Sequence, residues 1–512
     1  MKINLIAFQE VEHTGFENGE NIEIGRVYAF LRNENFNPDY IYLERKNMPC
    51  NFEEYIGINI VNVYNTTIDY AFQLVKEVKR IYPQSVFLLF SRFVTEAAEL
   101  ALEECPQIDG ILLGHPELPL LNLLNAIKNG EDIYHAILKN EQIMSFDDRI
   151  GKQVKEVDIN LLPVPDRTTL YEKRATIAYI NTSHGCAGNC SFCGMFYKDR
   201  WTGRPAQDIF HEIISIYEKT GIRIFIFEDA SFEDKGGEGK NKLFELCKLL
   251  ITYPVKFSFR CFMRTESFQE TEADISLLKE LKKAGFVNIL WGIEAGNEKD
   301  LRLYQKRATL TDNNRIQKLL SMTGHDFLYG FIMMNPYSTL ETLTANIDYL
   351  HSILCSHLEY YVSSVRLWYN TPLYVKLKKD DLLIDNQDYK NYYNYHYMDR
   401  KVEIVSDFIS KEFDFHSEIM RNDYEEYHFE QFLRYLKHIF GKEVDDFSNE
   451  LKGYQIELAE TMFSYFKSVY KRLDIDFAKE NINVFKESLC LIYKQIKRLK
   501  FKVIKFYAKK QR

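Results

Sequence analysis

The chain has 512 residues, of which 46% are hydrophobic, 14% aromatic and 27% charged, and its formal net charge is -9. At roughly 150 residues per domain this length predicts two to four units, and the composition belongs to a folding chain, not to a disordered or collagen-like one. The negative balance excludes a general nucleic-acid binder, since phosphate contacts need clustered Lys and Arg, so no nucleic-acid partner is expected.

The opening "MKINLIAFQEVEH" meets acidic residues before any small-residue cleavage site, so no signal peptide is expected. No apolar run reaches the roughly 18 residues of a membrane span, and a cytoplasmic protein without stable membrane association is expected. Across 1–145, "KINLIAF", "YIYL", "IGINIVNVY", "SVFLLFS" and "DGILLG" read as short strands buried on both faces. The segment "TTIDYAFQLVKEVKRIYP" between them repeats Ile68, Phe72, Val75, Val78 and Ile81 at helical spacing, and Pro83 closes it. Alternation of this kind predicts an α/β, Rossmann-like parallel sheet with its ligands at the C-terminal strand ends.

A linker is expected over 146–175, where "NLLPVPDRTTLYEKR" brings two prolines and turn formers. A second alternating unit fills 176–385, with strands at "TIAYINT", "IRIFIFED", "VKFSFRCFMR", "VNILWGIEAG", "FLYGFIMMN" and "YYVSSVRLW". Six strand–helix repeats predict a partial (β/α)6 barrel with chemistry at the C-terminal strand ends. In its third strand, alternation points Ser258, Arg260, Phe262 and Arg264 into the lumen and Phe257, Phe259, Cys261 and Met263 toward the helices. Beyond, 386–512 reads as a mainly helical domain. Its end, "KQIKRLKFKVIKFYAKKQR", alternates basic and apolar residues; it could touch an anionic surface, but reads first as a solvated helix with snorkelling lysines.

Of nine cysteines, Cys50, Cys105, Cys247, Cys261, Cys355 and Cys490 are scattered, as suits reduced buried thiols. The other three, Cys186, Cys190 and Cys193, form C-x3-C-x2-C on the loop leaving the first barrel strand. Three neighbouring thiolates can hold three irons of a cubane and leave the fourth open to a reactant. A structural zinc would want a fourth ligand at finger spacing, and His184 lies too near Cys186 for an ordinary finger.

With Phe192 as the aromatic of C-x3-C-x-aromatic-C, this segment resembles the radical S-adenosylmethionine (SAM) superfamily. The resemblance implies a 4Fe–4S cluster on Cys186, Cys190 and Cys193, with SAM chelating the open iron through its amino and carboxylate groups. "IFIFEDASFED" resembles the strand whose end meets the SAM amino group, which implicates Glu228, Asp229 and Ser231. Arg264 is then placed to pair with the SAM carboxylate. "WGIEAGNEKDLRLYQKRAT" resembles the fourth-strand stretch beside the nucleoside and implicates Gly292, Glu294, Ala295 and Gly296. Departures at Met333, Met334, Asn335 and Asn370 touch the substrate end, and no further catalytic residue is identified.

The N-terminal unit, with "EECPQIDGILLGHPELPLLNLLNAI" followed by "LLPVPDR", resembles the cobalamin-binding-domain branch of this superfamily. It lacks the D-x-H-x-x-G loop that supplies histidine to cobalt, and Ser91 and Arg92 stand where a glycine pair usually admits the corrin. One cluster is expected, since the N-terminal unit holds only Cys50 and Cys105 and only Cys490 lies beyond the barrel. The resemblance implies a 5′-deoxyadenosyl radical that abstracts hydrogen, leading to cobalamin-dependent C-methylation of a peptide or natural-product intermediate. The alternatives are epimerisation, cyclisation or rearrangement with a degenerate cobalamin domain, and, in another class, a non-catalytic zinc or scaffold protein. The expected partners are a small-molecule or peptide substrate and an electron donor such as flavodoxin or ferredoxin.

Overall fold

The computed structural model describes residues 2–8, 21–44, 48–155, 157–172, 175–194, 200–233, 238–385 and 387–510. The first sheet contains β1 (Ile3–Phe8), β2 (Asp39–Leu43), β3 (Ile58–Asn62), β4 (Val86–Phe90), β5 (Gly110–Leu112) and β6 (Ile143–Met144). Their order is β2-β1-β3-β4-β5-β6, parallel except for β6. The apolar runs are explained by helices on both faces. In β1, Ile6 and Phe8 face α2 (Ile68–Ile81), α3 (Arg92–Glu96) and α4 (Ala98–Glu104). Its alternate residues Ile3, Leu5 and Ala7 face α1 (Ile22–Asn33), α5 (Glu117–Lys128) and α6 (Ile133–Lys139). The stripe expected on α2 is buried at Ile68, Phe72, Val75 and Val78, while Ile81, in the last turn, is exposed. Strand order reverses between β1 and β3, the usual place for a ligand crevice in such a sheet.

The connecting segment is held to both units. The Asp166 amide donates to the Gly25 carbonyl at 2.9 Å, and a Cβ on Gly25 would lie 2.5 Å from the Asp166 oxygen, so only glycine allows the approach. Arg167, just before α7 (Thr168–Glu172), donates to the Tyr179 carbonyl at 2.8 Å and pairs with buried Glu212. Arg204 pairs with the same carboxylate at 2.6 Å.

The second sheet is parallel, in the order β13-β12-β11-β10-β7: β7 (Ile177–Ile180), β10 (Ile224–Phe227), β11 (Ser258–Met263), β12 (Asn288–Glu294) and β13 (Leu328–Phe331). Between β7 and β10 lies an antiparallel ribbon of β8 (Ser183–Cys186) and β9 (Arg200–Gly203). Helices α8 (Ala206–Thr220), α9 (Glu238–Thr252), α10 (Glu272–Ala284), α11 (Glu298–Leu303), α12 (Leu310–Thr323) and α13 (Leu340–Ser352) follow the strands. The alternation read in β11 holds: Phe259, Cys261 and Met263 join the outer core, whereas Arg260 and Phe262 are half-buried on the other face.

The sixth position differs from expectation. "YYVSSVRLW" begins inside α14 (Leu358–Val362), and only Ser364 bridges to Met334 at the sheet edge. The reason is a tertiary cap: buried Asp423 accepts from the Leu358 and Glu359 amides at 2.8 and 3.1 Å, satisfying the first donors of a helical turn.

After α15 (Pro372–Lys379) the chain is helical as expected, in α16 (Arg400–Glu412), α17 (Glu418–Phe440), α18 (Asp445–Arg472) and α19 (Ile475–Lys510). Leu473, with φ 48°, breaks the long periodic segment into the α18–α19 hairpin. The tyrosines here mostly join elements: Tyr470 donates to the Tyr361 carbonyl at 2.6 Å and Tyr493 to Asp423 at 2.9 Å. The preceding arm reaches the N-terminal sheet, where Tyr389 donates to Glu104 at 3.0 Å and Lys390 to Asp69 at 2.7 Å. No helix among the described residues is long and apolar enough to cross a membrane.

Candidate active site

The three cysteines sit where β8 ends. Gly188 lies among them: a Cβ there would be 3.3 Å from the Cys186 sulfur, 3.8 Å from that of Cys190 and 3.7 Å from Arg264 Nη1. Its amide also donates to Cys186 Sγ at 3.3 Å. The loop is anchored by Ser191, whose amide and hydroxyl donate to the carbonyls of Tyr304 and Leu303, both at 2.8 Å. Phe192 meets the Tyr304 ring edge-on at 5.4 Å. Burial pushes the Cys190 thiol up to about 11; Lys306 opposes the shift and Glu294 adds to it. Among the described residues no three His, Cys, Asp or Glu side chains converge on a single ion. Three thiols spread along one loop suit a cluster in which each iron takes one sulfur.

The fit to an anionic group rests on Arg264. Its side chain is 8% exposed and pairs with Glu266 at 2.6 Å. The guanidinium also meets the Cys186 thiol, while among the described residues Nε and Nη1 donate to no oxygen or nitrogen. A buried guanidinium left with unused donors is costly, and an anion set beside the cysteines would meet them.

On β12 a bulge between Gly292 and Glu294 turns Glu294 into the left-handed region, φ 64°. Its carboxylate lies 3.4 Å from Lys306 Nζ, and that lysine side chain is only 5% exposed. Gly292 makes the room, since a Cβ there would come within 3.0 Å of both groups. Burial raises the Glu294 carboxyl against the pull of Lys306. Burial also opposes the Lys306 charge, but Glu294, Cys190 and Glu266 together outweigh it and hold the ammonium above the ordinary lysine value.

Other residues named from the sequence stand farther back. Asp229 is buried, and its carboxylate accepts from the amides of Thr182 and Ser183, both at 2.7 Å, and from the Thr182 hydroxyl. The Ser231 hydroxyl donates to the Glu233 carbonyl at 2.9 Å, and its own carbonyl accepts from Ser183 at 3.1 Å. Asp229 and Ser231 thus fix the start of the cysteine loop. Glu228 is exposed at the end of β10. Ala295 is buried, and Gly296 packs so closely on α13 that a Cβ would be 2.3 Å from that of Tyr349.

Sequence reasoning missed Lys306, Glu266 and Glu233. Glu233 accepts from the Arg264 amide at 2.9 Å and the Ser267 hydroxyl at 2.8 Å, and burial pushes its carboxyl up to about 7. It gave no local signal, being one of several acids in "EDASFED".

The N-terminal sheet turns the same edge toward this loop. Arg92, after β4, donates to the Gly194 carbonyl at 2.7 Å, one residue past Cys193. Ser91 is folded back as the cap of α3, accepting from the Val94 amide at 3.1 Å. His115, after β5, stacks on His184 at 4.2 Å. Burial lowers these imidazoles to about 3 and about 2, so both are neutral at ordinary pH.

Residues 180–350 match the Radical SAM superfamily model. An uncharacterized methyltransferase of Pyrococcus horikoshii, PH0819, is 23% identical over 311 residues, covering 58% of this chain and 65% of that one. The first three curated relatives are matched over only 45 to 65% of their own length. The cobalamin-dependent SAM radical enzyme OxsB, solved with aqua-cobalamin and SAM bound, superposes with a TM-score of 0.73 at 15% identity, covering 100% of this chain and 81% of that one. The radical SAM methyltransferase TsrM from Kitasatospora setae superposes with a TM-score of 0.61 at 18% identity, over 76% of this chain and 79% of that one. At such identities the likeness to the two structures is one of fold. A domain of this superfamily implies a 4Fe–4S cluster and SAM. The chain thus carries a radical SAM superfamily domain, in a three-part fold shared with cobalamin-dependent members of that superfamily.

Proposed function

We propose that the protein is a radical SAM enzyme that methylates an unactivated carbon of a small-molecule or peptide substrate with the help of cobalamin. The observation that carries the reading is the cysteine loop, with Gly188 set among two thiols and the part-free guanidinium of Arg264. When bound and reduced, a 4Fe–4S cluster supplies the electron that cleaves SAM to methionine and a 5′-deoxyadenosyl radical. Cys186, Cys190 and Cys193 would hold three of its irons. Arg264 binds the SAM carboxylate through its unused N–H groups, Glu294 takes a ribose hydroxyl or the amino group, and Gly292 lets the nucleoside approach β12. Asp229 and Ser231 keep the loop in place. An electron donor such as flavodoxin or ferredoxin would reduce the cluster, in a cytoplasm that keeps the thiols free.

Cobalamin would sit at the C-terminal strand ends of the N-terminal sheet. Ser91 is withdrawn as a helix cap, so of that pair only Arg92 would stand toward a bound macrocycle. His115, at the next strand end, is stacked on His184. The fold shared with OxsB, a cobalamin-dependent SAM radical enzyme, and with TsrM, a radical SAM methyltransferase, supports this reading.

Anaerobic reconstitution with iron, sulfide and hydroxocobalamin tests it, followed by metal counts and an assay for 5′-deoxyadenosine. About four irons and one cobalt per chain are expected, with 5′-deoxyadenosine formed under reductant. A cluster without cobalt would favour epimerisation, cyclisation or rearrangement; zinc in place of iron would sink the enzyme reading.

A further inference from the structure

Two buried cations flank the cysteine loop, and the proposed SAM site uses only one of them. Arg264 lies against Cys186. Lys306 lies on the turn after α11, with its side chain 5% exposed, and its charge acts on Cys190. That turn is stitched to the loop: Ser191, between Cys190 and Cys193, donates twice to Leu303 and Tyr304, and the Phe192 ring packs on Tyr304. A shift of one would shift the other.

An ammonium buried this deeply is costly unless well paired. Its contact with Glu294, 3.4 Å, is longer than the 2.7–2.9 Å usual for a strong ammonium–carboxylate bond. Two features accompany this imperfect pair: the left-handed backbone at Glu294, and the missing side chain at Gly292, where a Cβ would come within 3.0 Å of both partners. Left-handed backbone at a non-glycine residue costs free energy and persists where the surroundings impose it. An ion pair kept only for stability would not need such support, and a hydrophobic pair of the same volume would serve as well.

We propose that Lys306 is a positioning residue for charge, a fixed ammonium on the turn bonded to the Cys190–Cys193 loop, that raises the reduction potential of the cluster. The inference rests on reading Cys186, Cys190 and Cys193 as the cluster ligands. Reduction adds one electron to a group already carrying three thiolates, and a nearby buried cation stabilises the more negative state. Glu294 holds the ammonium in place and partly offsets its field.

The test is a redox titration, followed by electron paramagnetic resonance, of reconstituted wild type, K306M, K306Q and K306R, with iron counted in each. K306M and K306Q are expected to keep their iron and to be about tenfold harder to reduce, a shift of about 59 mV to more negative potential, while K306R stays close to wild type. Unchanged potentials in the neutral variants would overturn the proposal, and so would a shift in K306R as large as theirs, because geometry and not charge would then be responsible. If one neutral variant fails to fold, the other decides; if no Lys306 variant holds a cluster while wild type does, Lys306 is structural and the proposal falls. Wild type without iron would instead overturn the assignment of the cysteines.

Discussion

Two parallel sheets in this chain turn their C-terminal strand ends toward each other, and they treat their polar residues in opposite ways. At the N-terminal edge the side chains bind one another: Asn21 donates to Asn62 at 2.7 Å, Asn62 to Glu23 at 2.8 Å, and Thr95 accepts from the Gly114 amide at 3.1 Å. At the barrel edge, Arg264 and Glu233 keep buried polar atoms unmet among the described residues, and Lys306 meets Glu294 at 3.4 Å. The same layered architecture therefore hosts one edge where these polar side chains pair with one another, Glu117 Oε2 being left over, and one where the charged side chains beside the thiols are incompletely paired. Where a sheet is to hold a charged group, its loops leave polar atoms for that group to satisfy.

Removing the thiols should break this contrast most completely. C186A, C190A and C193A are each expected to reduce iron uptake and 5′-deoxyadenosine formation to background, read by metal analysis and chromatography. Next in size is D229A. It strands three donors of the strand–loop junction, and chemical denaturation should show about 3 to 5 kcal/mol lost.

Titration of Glu233 sharpens the difference in a third way. Its folded value of about 7 lies above the ordinary 4.5, so between those pH values the unfolded chain releases a proton that the fold retains. Stability should fall by about 3 kcal/mol as pH rises across that window and level off above it. In E233Q that slope should be absent, which urea denaturation at pH 5 and pH 8 would reveal. The smallest effect is expected at the junction of the edges: R92A loses a single, solvent-exposed bond to Gly194, about 1 kcal/mol, seen as faster proteolysis between the two units. Equal protease resistance would mean that the Asp166–Gly25 bond, the His115–His184 stack and the 389–390 arm hold them together without it.

How much of this was legible depended on the range of the interactions. The β11 alternation, the buried stripe of α2 and the cysteine spacing are local patterns, and each could be read directly. The strand expected at 360–368 could not be corrected from its own residues, because Asp423, more than sixty positions later, caps it as a helix. Asp229 sits in the stretch whose resemblance points to the SAM amino group, yet its carboxylate accepts from Thr182 and Ser183, partners 47 and 46 residues away. Lys306 gave no signal because its importance comes from a cysteine and a bulged strand that are distant in sequence.

By itself the sequence determined the order of two alternating α/β units and a helical end, and it placed three thiols on one loop, since periodicity and short spacing are properties of neighbouring residues. Tertiary structure alone decided which charges lie beside those thiols. A buried ion pair depends on which loops meet across the ends of a sheet, and that meeting is settled only when the helices on both faces pack.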